Sequence, residues 1–345
     1  MSSLPAKISN HERAEMQHQF VERETGKTCT EPLFWDRTIR MLYSHARERL
    51  PSLFLALTGA RTSSLLSRLA FDGPFTPSMR SIMTRSGAGL SECVADPSQL
   101  RTARSFFERR IRYWECRPMP DDPHAVVSPA DAKVVLGSLA EYSALFVKGK
   151  FFDLEELLGR DKALWVEAFR DGDFAVFRLT PEKYHYNHTP VAGRVLDFYC
   201  VTGRYHSCNP SAVVELAAPY SKNKRVVTIV DTDVSGGSKV GIVAMIEVVA
   251  LMIGDVVQCY SDERYEHPQR ISPGMFLRRG VPKSLYRPGS STNVLLFGRG
   301  RVRFAEDLLA NLHRTEVQSR FSCGFGQPLV ETDLKVRSLI ATASS

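Results

Sequence analysis

The chain is short of several features that would each have pointed to a function class. None of its seven cysteines falls in a CxxC pair and their number is odd, so neither a disulfide framework nor a structural zinc is expected, and a reducing compartment is the simpler inference. No stretch approaches the roughly 20 apolar residues that span a bilayer; the longest candidate is Leu53–Leu57. The first twenty residues lack an apolar secretion core, and their acidic residues argue against a mitochondrial transit peptide, so the mature protein is expected to begin near Met1. There is no internal repeat and no run of five basic residues, although 45 Lys and Arg against 38 Asp and Glu leave a net charge of +7. That excess favours an anionic partner without naming one, and a solvated basic surface is the simpler account. A GxSxG elbow is also absent, which weighs against an α/β-hydrolase.

What is present is enough apolar sequence for a real core, 43% of 345 residues, in two textures. Residues 1–30 are polar and aperiodic and read as a mobile N-terminal arm. Over 31–71, Leu33, Ile39, Leu42, Leu50, Leu57, Leu65 and Leu69 recur at helical spacing with arginines between them. That spacing predicts two or three amphipathic helices broken at Pro51 and Gly59. Such helices can pack on a core or lie on an anionic membrane, and a loop-rich connection follows to residue 104. From Val126 onward, short β-rich runs alternate with Gly, Pro and Asp: 132–135, 144–147, 174–179, 191–201, 225–230, 241–248, 255–260 and 293–297. A helix over 154–169, capped by Asp153, interrupts them. The expected fold class is α+β, a mostly antiparallel β core over 105–345 behind an N-terminal helical region over 31–104.

Three separated segments supply reactive side chains: Ser128-Pro129-Ala130-Asp131, Tyr184-His185-Tyr186-Asn187-His188-Thr189-Pro190, and Pro288-Gly289-Ser290-Ser291-Thr292. Together they offer a carboxylate, imidazoles and a hydroxyl, a set able to activate a serine oxygen. Taken alone such a triad is a weak signal in a chain this long. A metal reading of His185 and His188 lacks a third ligand, so no metal is expected.

The words around these residues resemble those of the phosphatidylserine decarboxylase family, in the family's order. Phe106-Phe107-Glu108-Arg109 with Arg117-Pro118 resembles its "FF.R…RP" segment, and Ser128 to Ala132 its "PADG" turn. Phe146-Val147-Lys148-Gly149 followed by Phe152-Asp153-Leu154 and Leu157-Leu158-Gly159 is similar to "IKG..YSL..LLG". Phe177-Arg178-Leu179 leads into Tyr184–Val191 and Gly193, close to "RL.P.DYHR.H.PV.G". Asn223-Lys224-Arg225 and Val240–Gly254 resemble two further strands, Gly289–Phe297 resembles the cleavage motif and its strand, and a weaker echo lies at Gly326–Leu329.

The resemblance implies a self-cleaving proenzyme. The serine oxygen attacks the preceding carbonyl, the resulting ester eliminates, and the new N-terminus becomes a pyruvoyl group that takes up the electrons released with CO2. It further implies His188 as base, Asp131 as its orienting partner, Ser291 as pyruvoyl precursor, and His185 as the acid that reprotonates the substrate carbon. Two histidines three apart on a strand face opposite ways, so their segment must be irregular to serve one site. The motif Gly289-Ser290-Ser291-Thr292 departs from the family's Gly-Ser-Thr. The spacing to Phe297 favours cleavage before Ser291 over cleavage before Ser290, and a serine at 290 predicts slow processing. Ala132 replaces a glycine, which leaves substrate choice open. Phosphatidylserine is the leading substrate; a free amino acid, an uncleaved lipid- or partner-binding relative and a serine hydrolase are the alternatives. The expected partners are the substrate, an anionic membrane surface through 31–71 and the two cleaved chains of the protein itself, with a homodimer left open and nucleic acid not expected. The expected location is peripheral, on the cytoplasmic side of a membrane.

Overall fold

The computed structural model describes residues 17–33, 36–43, 49–74, 89–140, 151–216, 218–250, 255–289 and 291–344, with isolated positions between 76 and 84. The strands in chain order are β1 (Gln19–Glu22), β2 (Thr28–Thr30), β3 (Ala125–Val127), β4 (Ala132–Ser138), β5 (Asp173–Leu179), β6 (Tyr186–His188), β7 (Gly193–Val201) and β8 (Arg225–Asp231). They continue with β9 (Ile242–Val249), β10 (Val256–Gln258), β11 (Phe276–Leu277), β12 (Pro282–Tyr286), β13 (Ser291–Phe297), β14 (Val302–Phe304), β15 (Thr332–Leu334) and β16 (Leu339–Ala343). The result is a mixed α and β architecture with large sheets and short helices, in agreement with α+β.

Ten strands form the main sheet in the order β11-β7-β8-β9-β13-β5-β4-β15-β1-β2. Among the described strands of this sheet only the β1–β15 pair is parallel. β13 is buried at all seven positions, STNVLLF, and pairs along its whole length with β5 and β9. Burial at every position, with no alternation, is that of a strand covered on both faces. β7, nearer the edge, leaves Arg194 and Leu196 exposed between the buried Gly193 and Val195. Two three-stranded sheets, β10-β12-β6 and β14-β16-β3, flank the main one. The first carries the histidine segment.

Two sequence expectations need correction. The single helix over 154–169 is two, Leu154–Leu158 and Ala163–Phe169, because Gly159 turns the chain at a φ of +107°. Asp153 does cap the first, accepting from the Glu156 amide at 2.8 Å. Within the arm expected over 1–30, residues 19–30 form the β1–β2 hairpin, turned at Gly26 and docked on β15. Polar sequence is held there by buried charge: Arg178 of β5 binds Glu31 at 2.5 and 2.8 Å and Glu331 at 2.5 and 2.9 Å, and His18 meets Glu331 at 2.7 Å. Residues 1–16, 144–147 and 251–254 lie outside the described residues.

Between the hairpin and the core stand α1 (Asp36–Met41), α2 (Pro51–Leu57) and α3 (Ala60–Phe71). Proline opens α2, and Gly59 separates it from α3. Phe54 packs into the core side with Tyr43, while Leu65 and Leu69 are 57% and 72% exposed. Among the described residues no helix is long and apolar enough to cross a membrane.

Candidate active site

Ser291 opens β13, opposite Leu179 on one side and Val249 on the other. Its Oγ is buried and has no hydrogen-bond partner among the described residues. Buried hydroxyls are nearly always bonded, so this orphan marks a place where local bonding has been given up. The strand itself is held firmly: the Tyr286 hydroxyl donates to the Thr292 carbonyl at 2.8 Å, and Asn293 Nδ2 donates to Asn187 Oδ1 at 2.8 Å. Gly289 has a φ of +148°, which favours glycine. Ser290 lies outside the described residues.

His185 and His188 bracket β6 and are both fully buried. His185 Nδ1 sits 2.8 Å from the Lys183 carbonyl, an acceptor, so Nδ1 carries the proton and Nε2 is left with a free lone pair; that Nε2 is buried without a partner. Phe107 stacks on the ring with centroids 3.5 Å apart. Burial, then the charge of Arg109, pushes the His185 pKa down to about 3. The backbone carbonyl of His185 accepts from the Tyr286 amide at 3.1 Å, which ties this histidine to the turn leading into β13.

His188 lies three residues on, paired with Pro282 at the other end of β12. Its Nδ1 is 3.0 Å from the Gly280 carbonyl and its Nε2 2.9 Å from the Tyr184 hydroxyl, which continues to the Tyr265 hydroxyl at 2.7 Å. The carbonyl again assigns the proton to Nδ1, so Nε2 accepts from Tyr184. Burial pushes this ring down to about 3 as well, against the pull of the Gly280 hydrogen bond.

Asp131 does not hydrogen-bond His188. Its carboxylate takes two bonds from Arg117, at 3.0 and 2.7 Å, and one from the Val336 amide at 2.8 Å. Burial works to raise this carboxyl, but Arg117 and the amide outweigh it and hold it below its ordinary value. Arg117 also grips Glu92 at 2.9 and 2.8 Å. Asp131 borders a cavity of about 760 Å³ that Arg109, Lys133, Glu182, Lys183 and Tyr184 also line.

Of the four side chains expected to act together, the structure thus links His185 by backbone to the approach to Ser291, and gives His188 and Asp131 separate partners. Supporting residues were missed in the sequence. Arg109 clamps the carbonyls of Glu182 and Lys183 at 2.7 and 3.2 Å, fixing the loop that presents His185. The buried pair Lys283–Glu247, at 2.6 Å, continues through Asn187 to Asn293. Arg109, Arg117 and Glu247 stood inside the resembling segments, so a signal existed for them; Lys283 had none. His18, Glu31 and Glu331 have metal-ligand spacing, but Arg178 and, at 3.6 Å, Lys133 already neutralise the two carboxylates.

A large, mostly antiparallel sheet carrying a buried serine at the head of its central strand, with neutral His185 bonded through its backbone to the segment that leads into it, defines a protein whose serine is chemically set apart. The family model for phosphatidylserine decarboxylase matches residues 103–321. A phosphatidylserine decarboxylase proenzyme of Bordetella petrii is 33% identical over 74% of this chain and 91% of its own length. The Chlamydia pneumoniae and Fusobacterium nucleatum proenzymes are 29% and 26% identical over 90% and 89% of this chain and 96% and 95% of theirs. The chain belongs to the phosphatidylserine decarboxylase family.

Proposed function

We propose that the chain cleaves itself before Ser291, or in the alternative register before Ser290, and then decarboxylates phosphatidylserine to phosphatidylethanolamine. The observation that carries this reading is the buried, unpartnered Oγ of Ser291 at the first position of β13, inside a chain of this family. A pyruvoyl group at that position fits the site: its carbonyl would replace a buried hydroxyl that has no hydrogen-bond partner among the described residues, so no donor is left unsatisfied. Such a group supplies the electrophilic carbonyl that draws off the electron pair released with CO2.

The residue roles are those the family resemblance implies, and the neutral state of both rings suits them. His188, neutral, is the base for the Ser291 hydroxyl, and ionised Asp131 is its electrostatic partner. His185 Nε2 takes up the proton shed by the substrate amine and returns it to the carbon that loses CO2. The N-terminal helices over 31–71 rest on an anionic membrane at its cytoplasmic side, exposed leucines inward. Intact mass tests the reading directly: two pieces of about 290 and about 55 residues are expected, and a persistent full-length chain would favour a lipid-binding relative without turnover. CO2 release from phosphatidylserine vesicles but not from free amino acids is the expected substrate result.

One observation favours a second assignment of the cleavage base. His188 Nε2 is occupied by Tyr184, whereas His185 Nε2 is free and its segment is bonded to the turn before β13. If His185→Gln blocks cleavage and His188→Gln does not, His185 is the base; the reverse result keeps the roles as proposed.

A further inference from the structure

A second cavity, of about 570 Å³, lies against α2, and Ser291 and both active-site histidines are outside its lining. Four cations, Arg160, Arg204, Lys222 and Arg225, face two carboxylates, Glu156 and Asp161, which leaves a surplus of two positive charges. Arg204 and Lys222 are exposed and form no ion pair among the described residues. Among the described residues the buried Arg225 guanidinium bonds only to the backbone carbonyls of Glu156, Leu157, Ser221 and Asn223. A buried guanidinium is ordinarily paired directly with a carboxylate; Glu156 attracts this one without forming an ion pair, so its charge is only partly compensated.

His206 completes the wall. Its Nδ1 is buried and unpartnered, and burial together with Lys222 and Arg204 pushes its pKa down to about 4. The placement of these groups is built into the backbone. Gly203 lies so close to Asn223 that a Cβ there would come within 2.4 Å of the Asn223 carbonyl carbon, and Asn223 bonds both the amide and the carbonyl of His206. The Tyr205 amide then donates to the Thr58 carbonyl at 3.1 Å, fastening the loop to the end of α2. Phe54 of α2 stacks on His206, while Leu55, 46% exposed, lines the cavity itself.

We infer that this cavity binds the phosphate of an anionic phospholipid, with the acyl chains lying along the exposed leucines of α2 and α3. A partly compensated cationic pocket opening beside an apolar helix face matches the two ends of such a molecule, and a soluble phosphate ester would use only the first. The inference goes beyond the decarboxylase reading. It is tested with phosphatidylglycerol, which has no amine or carboxylate to react, so binding is read whether or not the chain turns over substrate.

Co-sedimentation with vesicles of equal parts phosphatidylglycerol and phosphatidylcholine compares the parent chain with Arg204→Gln/Lys222→Gln. Both side chains are exposed, and an unchanged urea midpoint verifies folding. A loss of affinity of about tenfold or more is expected. A control, Arg299→Gln/Arg303→Gln, makes the same charge change near the far end of β13 and should bind like the parent. Equal loss in both variants, or in neither, overturns the site. Binding of glycerol 3-phosphate as tight as that of the vesicles, with displacement of the lipid, overturns the lipid assignment in favour of a soluble phosphate ester.

Discussion

Three histidines, His185, His188 and His206, are kept neutral chiefly by burial, and this sets how the protein responds to acid. In the unfolded chain each ring takes a proton below about pH 6.5. In the folded chain the first two wait until about pH 3 and the third until about pH 4. Between those limits the unfolded state binds more protons, so stability falls as pH falls, by about 2 kcal/mol for each fully buried ring at pH 5. Glu31 and Glu331, held low by Arg178 against their burial, add their own loss only below the ordinary carboxylate range. Urea midpoints between pH 7 and 5 therefore read the histidines. A flat midpoint over that interval would mean the rings are already protonated or open to solvent in the native state. At this scale the sequence was informative about identity and poor about pairing. The motif words picked out Asp131, His185, His188 and Ser291, but nothing in a string of residues tells which of many cations will face a given carboxylate. Arg117 took Asp131, and Tyr184 took the His188 nitrogen, because folding brings residues 14 and 4 positions away closer than the expected partners.

Among the elements, the strands of strong apolar content were legible within a residue or two: 174–179 against Asp173–Leu179, 225–230 against Arg225–Asp231. The β1–β2 hairpin was not, since QFVE and TCT carry no run that distinguishes them from loop. Its strand character is imposed by β15 and by the charges beneath it. That dependence is measurable. Arg178→Met leaves Glu31 and Glu331 buried without their main counter-charge, and a stability loss of about 3–5 kcal/mol is expected. The triple change Arg178→Met/Glu31→Gln/Glu331→Gln removes the orphaned charges and should recover a large part of it. If the single and triple variants unfold at the same denaturant concentration, the hairpin is held by its backbone pairing and the ionic cluster is incidental. Protease nicking near Gly26 gives the local readout, rising in the single variant before the core unfolds.

At the scale of the whole molecule, the proposed cut falls at the edge of the strand that holds the sheet together. Cleavage before Ser291 would free the carboxy-terminal piece of its covalent link while leaving β13 between β5 and β9, hydrogen-bonded along seven residues on each side. The same piece also supplies β15, which carries the amino-terminal hairpin, and β16, which pairs with β3 and β14. Its buried side chains Val294, Leu295, Leu296 and Phe297 are exposed to no more than a trace of solvent. Withdrawing them would uncover the main core at a cost of about 1.5–3 kcal/mol for each side chain. The two pieces should therefore migrate together in gel filtration at the mass of the uncut chain, separate only in denaturant, and show no added exchange of the β13 amides after cleavage. Leu295→Ala, a core truncation worth about 2–5 kcal/mol, should lower the urea midpoint of the cleaved protein more than that of the uncleaved Ser291→Ala background. In the cleaved form the strand is no longer tethered at its amino end, so the same lost packing competes with dissociation as well as unfolding. Equal shifts in the two forms would show that the tether contributes nothing, and that the sheet alone holds the small chain in place.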